Sequence, residues 1–310
     1  MSAHTVRLAL RRLIEAPGLS LVPGVANPQF ARIAADVGFR CVFATGAGIA
    51  NSVYGLPDLG LVSLAEVVSV TRQIVQAVPS IPVIADGDTG HGNHLNVYRT
   101  IEEFERAGAA GITLEDQVAP KRCGHLEGKA VVPVAEMVEK IEAAADARSD
   151  PALVLIARTD AIATDGLDAA LERGVAYAAA GADMIFVEAP RTFEDLERIP
   201  RAMSVPCVVN IVEGQKTPII SATELERMGF SLALYANLAL RIAGAAVERA
   251  FEVLRETGSS ESLVSEMWPW ERRQALAGLP TWELRERRSA RRRAARNCGC
   301  EPSGSSLAKP

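Results

Sequence analysis

Residues 115–129 read EDQVAPKRCGHLEGK, so Cys123 has Lys121 and Arg122 before it and Gly124 and His125 after it. A structural thiol keeps apolar neighbours, whereas cationic neighbours favour the thiolate and lower the thiol pKa from its free value of roughly 8.5. A cysteine in this setting can serve as an acid, a base or a nucleophile. Lys121, Arg122 and His125 could also grip an anionic substrate. A second charged stretch, DGDTGHGN at 86–93, supplies Asp86 and Asp88, and Glu115 adds a third carboxylate. Such hard oxygens suit Mg²⁺, with water and substrate completing an octahedron. Zinc is not expected: the only histidines are at 4, 91, 94 and 125, and no Cys/His grouping has finger spacing. An EF-hand starting at Asp86 would need Gly where His91 stands and Glu where Val97 stands. The stretch TGAG at 45–48 lacks the third glycine of a dinucleotide loop, and there is no P-loop. The Gly46 and Ala47 amides would serve better as a cradle for a carboxylate or a developing oxyanion.

These residues need a scaffold that gathers them, and the hydrophobic pattern predicts one. Short apolar runs at 20–25, 41–45, 81–85, 111–115, 153–157, 184–188, 206–210 and 230–235 read as strands. Between them lie amphipathic stretches at 28–38, 97–108, 134–147, 167–181 and 237–256, several closed by glycine. Strands alternating with helices predict a (β/α)₈ barrel, with an open doubly wound sheet as the alternative. In a barrel the active site lies where strands end at the C-terminal face. The exits carry TGAG at 45–48, DGDTGHGN at 86–93, EDQ at 115–117, RTD at 158–160, then Glu188 and Asn210. Asp160, Asp165 and Asp168 could each be a cap or turn residue. The connection over 116–132 is much longer than the usual two to six residues, as expected of a lid.

With 310 residues, 48% hydrophobic content and a net charge of −5, the chain shows no bias toward nucleic acid or membrane. No apolar run approaches the roughly 18 to 20 residues of a membrane span, and the start lacks the pattern of a signal peptide. Five cysteines, at 41, 123, 207, 298 and 300, argue for a reducing compartment, so a cytoplasmic location is expected. Residues 1–256 form the expected barrel domain. A helical extension over 257–288 carries Trp268, Trp270 and Trp282, which need a surface, and 289–310 reads as a basic disordered tail. Nucleic-acid binding by that tail is disfavoured because no aromatics are interleaved. The Cys298-Gly-Cys300 pair has no second ligand pair and is a weak metal signal.

Together, PKRCGH at 120–125, DGDTGHGN, LEDQ, ARTDA and NIVEGQKTP resemble the isocitrate lyase and phosphoenolpyruvate mutase superfamily over about residues 8–256. The resemblance implies a modified (β/α)₈ barrel that uses Mg²⁺, with Mn²⁺ able to substitute. It also implies a final helix exchanged between subunits of a dimer within a homotetramer. The KRCGH form resembles the carbon–carbon lyase branch, which implies cleavage of a 2-hydroxy-2-alkyl di- or tricarboxylate to pyruvate and a carboxylic acid. On that resemblance Asp86, Asp88 and Glu115 would surround the metal, with Asp58 supporting it through water. Thr45, Gly46 and Ala47 would hold the oxo-acid carboxylate, and Arg158 would stabilise the alkoxide. Cys123 would be the general acid, and Glu188 and Asn210 would bind or orient the other half. His125 joins the catalytic set, and Lys121, Arg122 and Gly124 the substrate-binding set. Phe43 stands where tricarboxylate lyases often have Tyr, and Val212 replaces a Thr hydroxyl that could meet a third carboxylate. NIVEGQ and FVEAP look more like the alkylmalate lyases, and His91 adds a donor near the metal residues. The substrate is therefore expected to be a 2,3-dimethylmalate or a 2-methylisocitrate. Carboxyphosphonoenolpyruvate mutase and oxaloacetate hydrolase or decarboxylase activities are the alternatives, and a non-enzymatic binding barrel is the least favoured.

Overall fold

Eight short runs of apolar residues form strands: β1 (Ser20–Val25), β2 (Val42–Ala44), β3 (Val83–Asp86), β4 (Gly111–Glu115), β5 (Val154–Thr159), β6 (Met184–Val187), β7 (Cys207–Asn210) and β8 (Leu232–Tyr235). All neighbouring pairs are parallel, and β1 pairs with β8 through Ser20 and Leu232, so the sheet closes into a barrel. The computed structural model describes residues 1–124 and 126–297. Each of the eight strands is followed by one or more helices, beginning with Pro28–Val37 after β1, the arrangement expected of a (β/α)₈ fold. Both faces of the strands are apolar because both are covered. Val42, Ala44, Ile112, Leu155, Ile185 and Val209 face the helices, whereas Phe43, Ile84, Ile156, Phe186, Val208 and Leu234 belong to a separate interior core.

The interior core is completed by an element that the strand–helix alternation did not reveal, the helix Ala3–Glu15. Ser2 caps it, its hydroxyl accepting from the Thr5 amide at 3.2 Å. Val6, Leu10, Leu13 and Ile14 lie at helical spacing and pack into the interior cluster. The approach is close: a Cβ on Gly111, at the start of β4, would stand 3.0 Å from Leu10 Cδ2. On the same helix Arg7 is buried. Its Nη1 donates to Glu105 Oε1 (3.2 Å) and Asp150 Oδ2 (2.9 Å), and its Nε to the Ala109 carbonyl (3.1 Å).

Two compact units meet at residue 249/250, inside the helix Leu238–Thr257. In the second unit the helices Trp270–Ala277 and Leu279–Asn297 pack on each other. Residues 289–297, expected in a disordered tail, continue that last helix; 298–310, including Cys298 and Cys300, lie outside the described residues. Arginine at 285, 287, 288, 291 and 292 suits helix interior positions, and the segment contains no proline or glycine after Pro280 to stop it. No helix among the described residues is long and apolar enough to cross a membrane.

Removing one partner of a buried charge pair leaves the other charge uncompensated. Arg7→Leu is therefore expected to cost about 3–5 kcal/mol in urea unfolding, the usual range for such a loss. An unchanged midpoint would show that the helix does not fasten the barrel.

Candidate active site

The C-terminal ends of the strands place charges around one cleft. Asp86 ends β3, Glu115 ends β4, Arg158 lies in β5 directly beside Glu115 in register, and Asn210 ends β7. A cleft of about 440 Å³ is lined by Phe43, Thr45, Ala47, Asp58, Asp86, Lys121, Arg122, Gly124, Arg158, Phe186, Glu188, Asn210, Leu234, Ala236 and Asn237. Most of the expected site residues therefore share a single cavity. Phe186, Leu234, Ala236 and Asn237 were not anticipated, because barrel-interior residues look like any other core residue in a sequence.

Arg158 forms the floor. Its Nε lies 2.9 Å from Asp160 Oδ2 and 3.3 Å from Glu115 Oε2, and its Nη2 lies 3.3 Å from Glu188 Oε2. Its guanidinium also rests 5.2 Å from the centroid of the Phe186 ring. Burial alone would lower its pKa, but Asp160, Glu188 and Glu115 hold it well above the ordinary value. Burial likewise works against ionised Asp160, yet Arg158 and Lys129 bring that carboxyl down to about 2. Asp160 thus stands at the start of the turn Ala161–Ala163, but its buried side chain makes no cap bond and serves as an ion-pair partner. Behind it, Asp116 accepts from Tyr177 Oη (2.8 Å), Thr159 Oγ1 (2.7 Å), Arg173 Nη1 (3.2 Å) and the Asp160 amide (2.9 Å). Asp116 could have been suspected from EDQ, but nothing local marks Tyr177 or Arg173 as its partners.

Lys121 lines the cleft and is at the same time held by carboxylates. Its ammonium is buried, 2.5 Å from Asp58 Oδ1 and 2.8 Å from Asp88 Oδ1. Burial disfavours its charge, but Asp88, Glu115, Asp86 and Asp58 together raise its pKa well above the usual lysine value. Its charge is therefore engaged by carboxylates and is not available to a cysteine alone. The Gly46 amide donates to Asp86 Oδ2 at 3.0 Å, which ties the turn after β2 to the end of β3. Thr45 caps the helix Gly46–Ser52, its hydroxyl accepting from Gly48 at 3.3 Å. Ala47 faces the cleft.

The connection after β4 is a short hairpin stem with a folded tip. Val118 and Val132 amides bond to Ala130 and Asp116 carbonyls at 2.8 Å each, and Gln117 bridges Val131. Gln117 also clasps the backbone of Arg122, accepting from its amide (2.9 Å) and donating to its carbonyl (2.8 Å). Arg122 reaches the cleft wall and makes no salt bridge among the described residues. Cys123 is half-buried, and its amide donates to the Asp58 carbonyl at 3.2 Å. Gly124 leaves no room for a side chain: a Cβ there would stand 2.5 Å from Arg158 Nη2 and 2.7 Å from Glu188 Cγ. His125 lies outside the described residues. Val212 is buried and does not line the cleft, and His91 lines a separate groove with Ser63, Asn96 and Arg99.

Among the described residues no three His, Cys, Asp or Glu side chains converge as a ready metal site. The donor chemistry nevertheless fits a divalent cation. Glu115 Oε1 is buried with no hydrogen-bond partner, and burial raises the Glu115 pKa well above its ordinary value despite Arg158. Burial also raises Asp88, to about 6, with Lys121 opposing. Asp58, Asp86, Asp88 and Glu115 form an excess of carboxylate that Lys121, with Arg158 on Glu115, neutralises only in part.

A family model for phosphoenolpyruvate phosphomutase matches residues 10–255. The chain is 40% identical over 270 residues to 2,3-dimethylmalate lyase of Eubacterium barkeri, covering 87% of this chain and 93% of that one. It is 44% identical over 261 residues to a probable 2-methylisocitrate lyase of Corynebacterium glutamicum, covering 84% of each. Among solved structures, one of 2,3-dimethylmalate lyase superposes with a TM-score of 0.87 at 38% identity, covering 93% of this chain and 96% of that one. An oxaloacetate acetylhydrolase bound to 3,3-difluorooxalacetate matches with a TM-score of 0.85 at 33% identity, over 97% of this chain and 99% of that one. A phosphonopyruvate hydrolase with oxalate and Mg²⁺ matches at 0.83 and 30%, over 93% and 99%. The chain belongs to the phosphoenolpyruvate mutase and isocitrate lyase superfamily.

The Asp88 shift has a measurable sign in metal-free protein. Its folded pKa of about 6 lies above the ordinary 3.8, so the folded state holds the extra proton between those values. Stability should therefore rise as pH falls through 6 toward 4. Urea unfolding in EDTA at pH 7 and pH 5 should show this increment, and Asp88→Asn should reduce it. An identical increment in the variant would assign the proton to another group.

Proposed function

We propose that the protein is a carbon–carbon lyase that cleaves the C2–C3 bond of a 2-hydroxy-2-alkyl dicarboxylate of the 2,3-dimethylmalate type, giving pyruvate and a carboxylic acid. 2-Methylisocitrate is the closest competing substrate. The observation that carries this reading is the seating of the KRCG loop directly on the Arg158–Glu188 pair, with a thiol at the position between two cleft-lining residues. Retro-aldol cleavage needs that combination: a cation for the oxygen at C2, and a proton donor for the carbon that departs.

Asp86, Asp88 and Glu115 would hold Mg²⁺, with Asp58 in support and Mn²⁺ as a substitute. When bound, the metal supplies positive charge to the substrate carboxylate and C2 oxygen. Arg158, fixed by its three carboxylates, presents further positive charge to the same oxygen. Thr45, Gly46 and Ala47 form the wall for the oxo-acid carboxylate, with Ala47 nearest the open space. Phe43, Phe186, Leu234 and Ala236 give the alkyl group an apolar surface. That surface takes over the argument for a dicarboxylate from Val212, which lies outside the cleft. Arg122, Asn210 and Glu188 face the half that departs; Asn210 Oδ1 is buried and has no donor. The C2 hydroxyl gives its proton to a base in the cleft and the freed electron pair on oxygen forms the carbonyl of pyruvate; as the C2–C3 bond breaks, its electron pair goes to C3, and the Cys123 thiol delivers a proton there, with His125 beside it in sequence. Gly124 lets the thiol approach because no side chain separates the loop from Arg158.

The helix Leu238–Thr257 buries none of its residues, and Trp268, Trp270 and Trp282 are exposed. We assign these surfaces to neighbouring subunits of a homotetramer with exchanged C-terminal helices. A chain that works through a reduced thiol suits the cytoplasm.

A coupled pyruvate-release assay with Mg²⁺ across 2,3-dimethylmalate, citramalate, 2-methylisocitrate, isocitrate and oxaloacetate tests the substrate class. Dicarboxylate cleavage is expected; turnover confined to oxaloacetate, or silence across the panel, would contradict the reading. Cys123→Ser should fold normally and lose about 10³-fold in turnover, within the range for a general acid. Near-full activity would remove Cys123 from the chemistry. Asp86→Ala should lose both activity and calorimetric Mg²⁺ binding, and a variant that still binds the metal with full affinity would place the ligands elsewhere.

A further inference from the structure

We propose that Lys129 is a positioning residue that fixes the loop carrying Cys123 at its working distance from Arg158, an inference that rests on the lyase reading above. Residues 126–128 of that loop are exposed, yet the Lys129 side chain is only 1% exposed. Its ammonium lies 2.9 Å from Asp160 Oδ1 and also donates to the carbonyl of Gly124, the residue after Cys123. Asp160 is fully buried and at the same time binds Arg158 through Nε (2.9 Å) and Nη2 (3.1 Å). One carboxylate therefore holds both the cation at the cleft floor and the ammonium that pins the loop tip.

The two limbs of the loop are fastened independently. The entering limb is held by Lys121 on Asp58 and Asp88 and by Gln117 on the Arg122 backbone. The returning limb reaches the barrel floor through Lys129. A buried lysine loses solvation and several rotamers, and such a position persists only where the ammonium is well paired. Lys129 neither lines the cleft nor faces the substrate, so its contribution passes through the Gly124 carbonyl.

The test combines kinetics with the accessibility of the thiol. Lys129→Met is expected to lower kcat by about 10²-fold, the scale of a misplaced reacting group, with a much smaller change in KM. In the same full-length protein, iodoacetamide should alkylate Cys123 severalfold faster than in the wild type. Peptide mapping isolates Cys123, and the peptide bearing Cys298 and Cys300 serves as the reagent control. Lys129→Arg, which keeps a cationic donor, should restore part of both properties. If Lys129→Met does not fold, Lys129→Gln is judged by the same alkylation rate. A folded variant that alkylates Cys123 at the wild-type rate overturns the proposal. Alkylation needs no turnover, so it also separates the two claims. Faster alkylation in a protein without lyase activity would uphold the positioning role and sink the lyase reading. A wild-type rate beside an inactive Cys123→Ser variant would do the reverse.

Discussion

The barrel mouth depends on one constraint: Arg158 is a buried cation, and its charge is tolerated only because Glu115, Asp160 and Glu188 surround it. Each of those carboxylates is itself buried and has a second commitment. Glu115 faces the carboxylate cluster of Asp86 and Asp88, Asp160 binds Lys129, and Glu188 meets the loop at Gly124. The guanidinium thus couples three parts of the barrel mouth, namely the acidic cluster, the charged floor and the loop that carries Cys123. A change at any one is felt at the others, because charges in a low-dielectric interior cannot be left unpaired.

The same logic explains the other lysine. Asp58, Asp86, Asp88 and Glu115 carry like charges at one end of the barrel, and the Lys121 ammonium among them offsets part of their repulsion. A divalent cation drawn to the same oxygens would compete with Lys121 for them. Since Lys121 belongs to the Cys123 loop, such a cation and the loop would share a set of carboxylates.

Much of this architecture was legible in the sequence. The apolar runs at 20–25 and 111–115 are strands end to end, and the helix at 134–147 has the expected limits, because period and turn residues agree there. The acidic strand exits were legible because a core has no use for Asp86 or Glu115. Partner choice was not. Lys121 and Lys129 look alike in a charged loop, and only the closed barrel shows that both turn inward to different carboxylates. Asp160 resembled a cap or turn residue, and the helix Ala3–Glu15 precedes the first strand, where the strand–helix alternation gives no place for it. In each case the deciding contact comes from a distant part of the chain: Asp160 with Lys129, Leu10 with Gly111, and Arg7 with Glu105 and Asp150.

In the proposed reaction, bond cleavage leaves a carbanion on the departing half, and this carbon receives its proton inside the cleft. Cleavage of 2,3-dimethylmalate in deuterated water with Mg²⁺, followed by NMR of the products, reports where that proton arrives. A single deuterium of one configuration at C2 of the released propionate is expected, with none in the pyruvate methyl group. Racemic label at C2 would mean protonation in free solvent, and absence of cleavage would rule the reaction out.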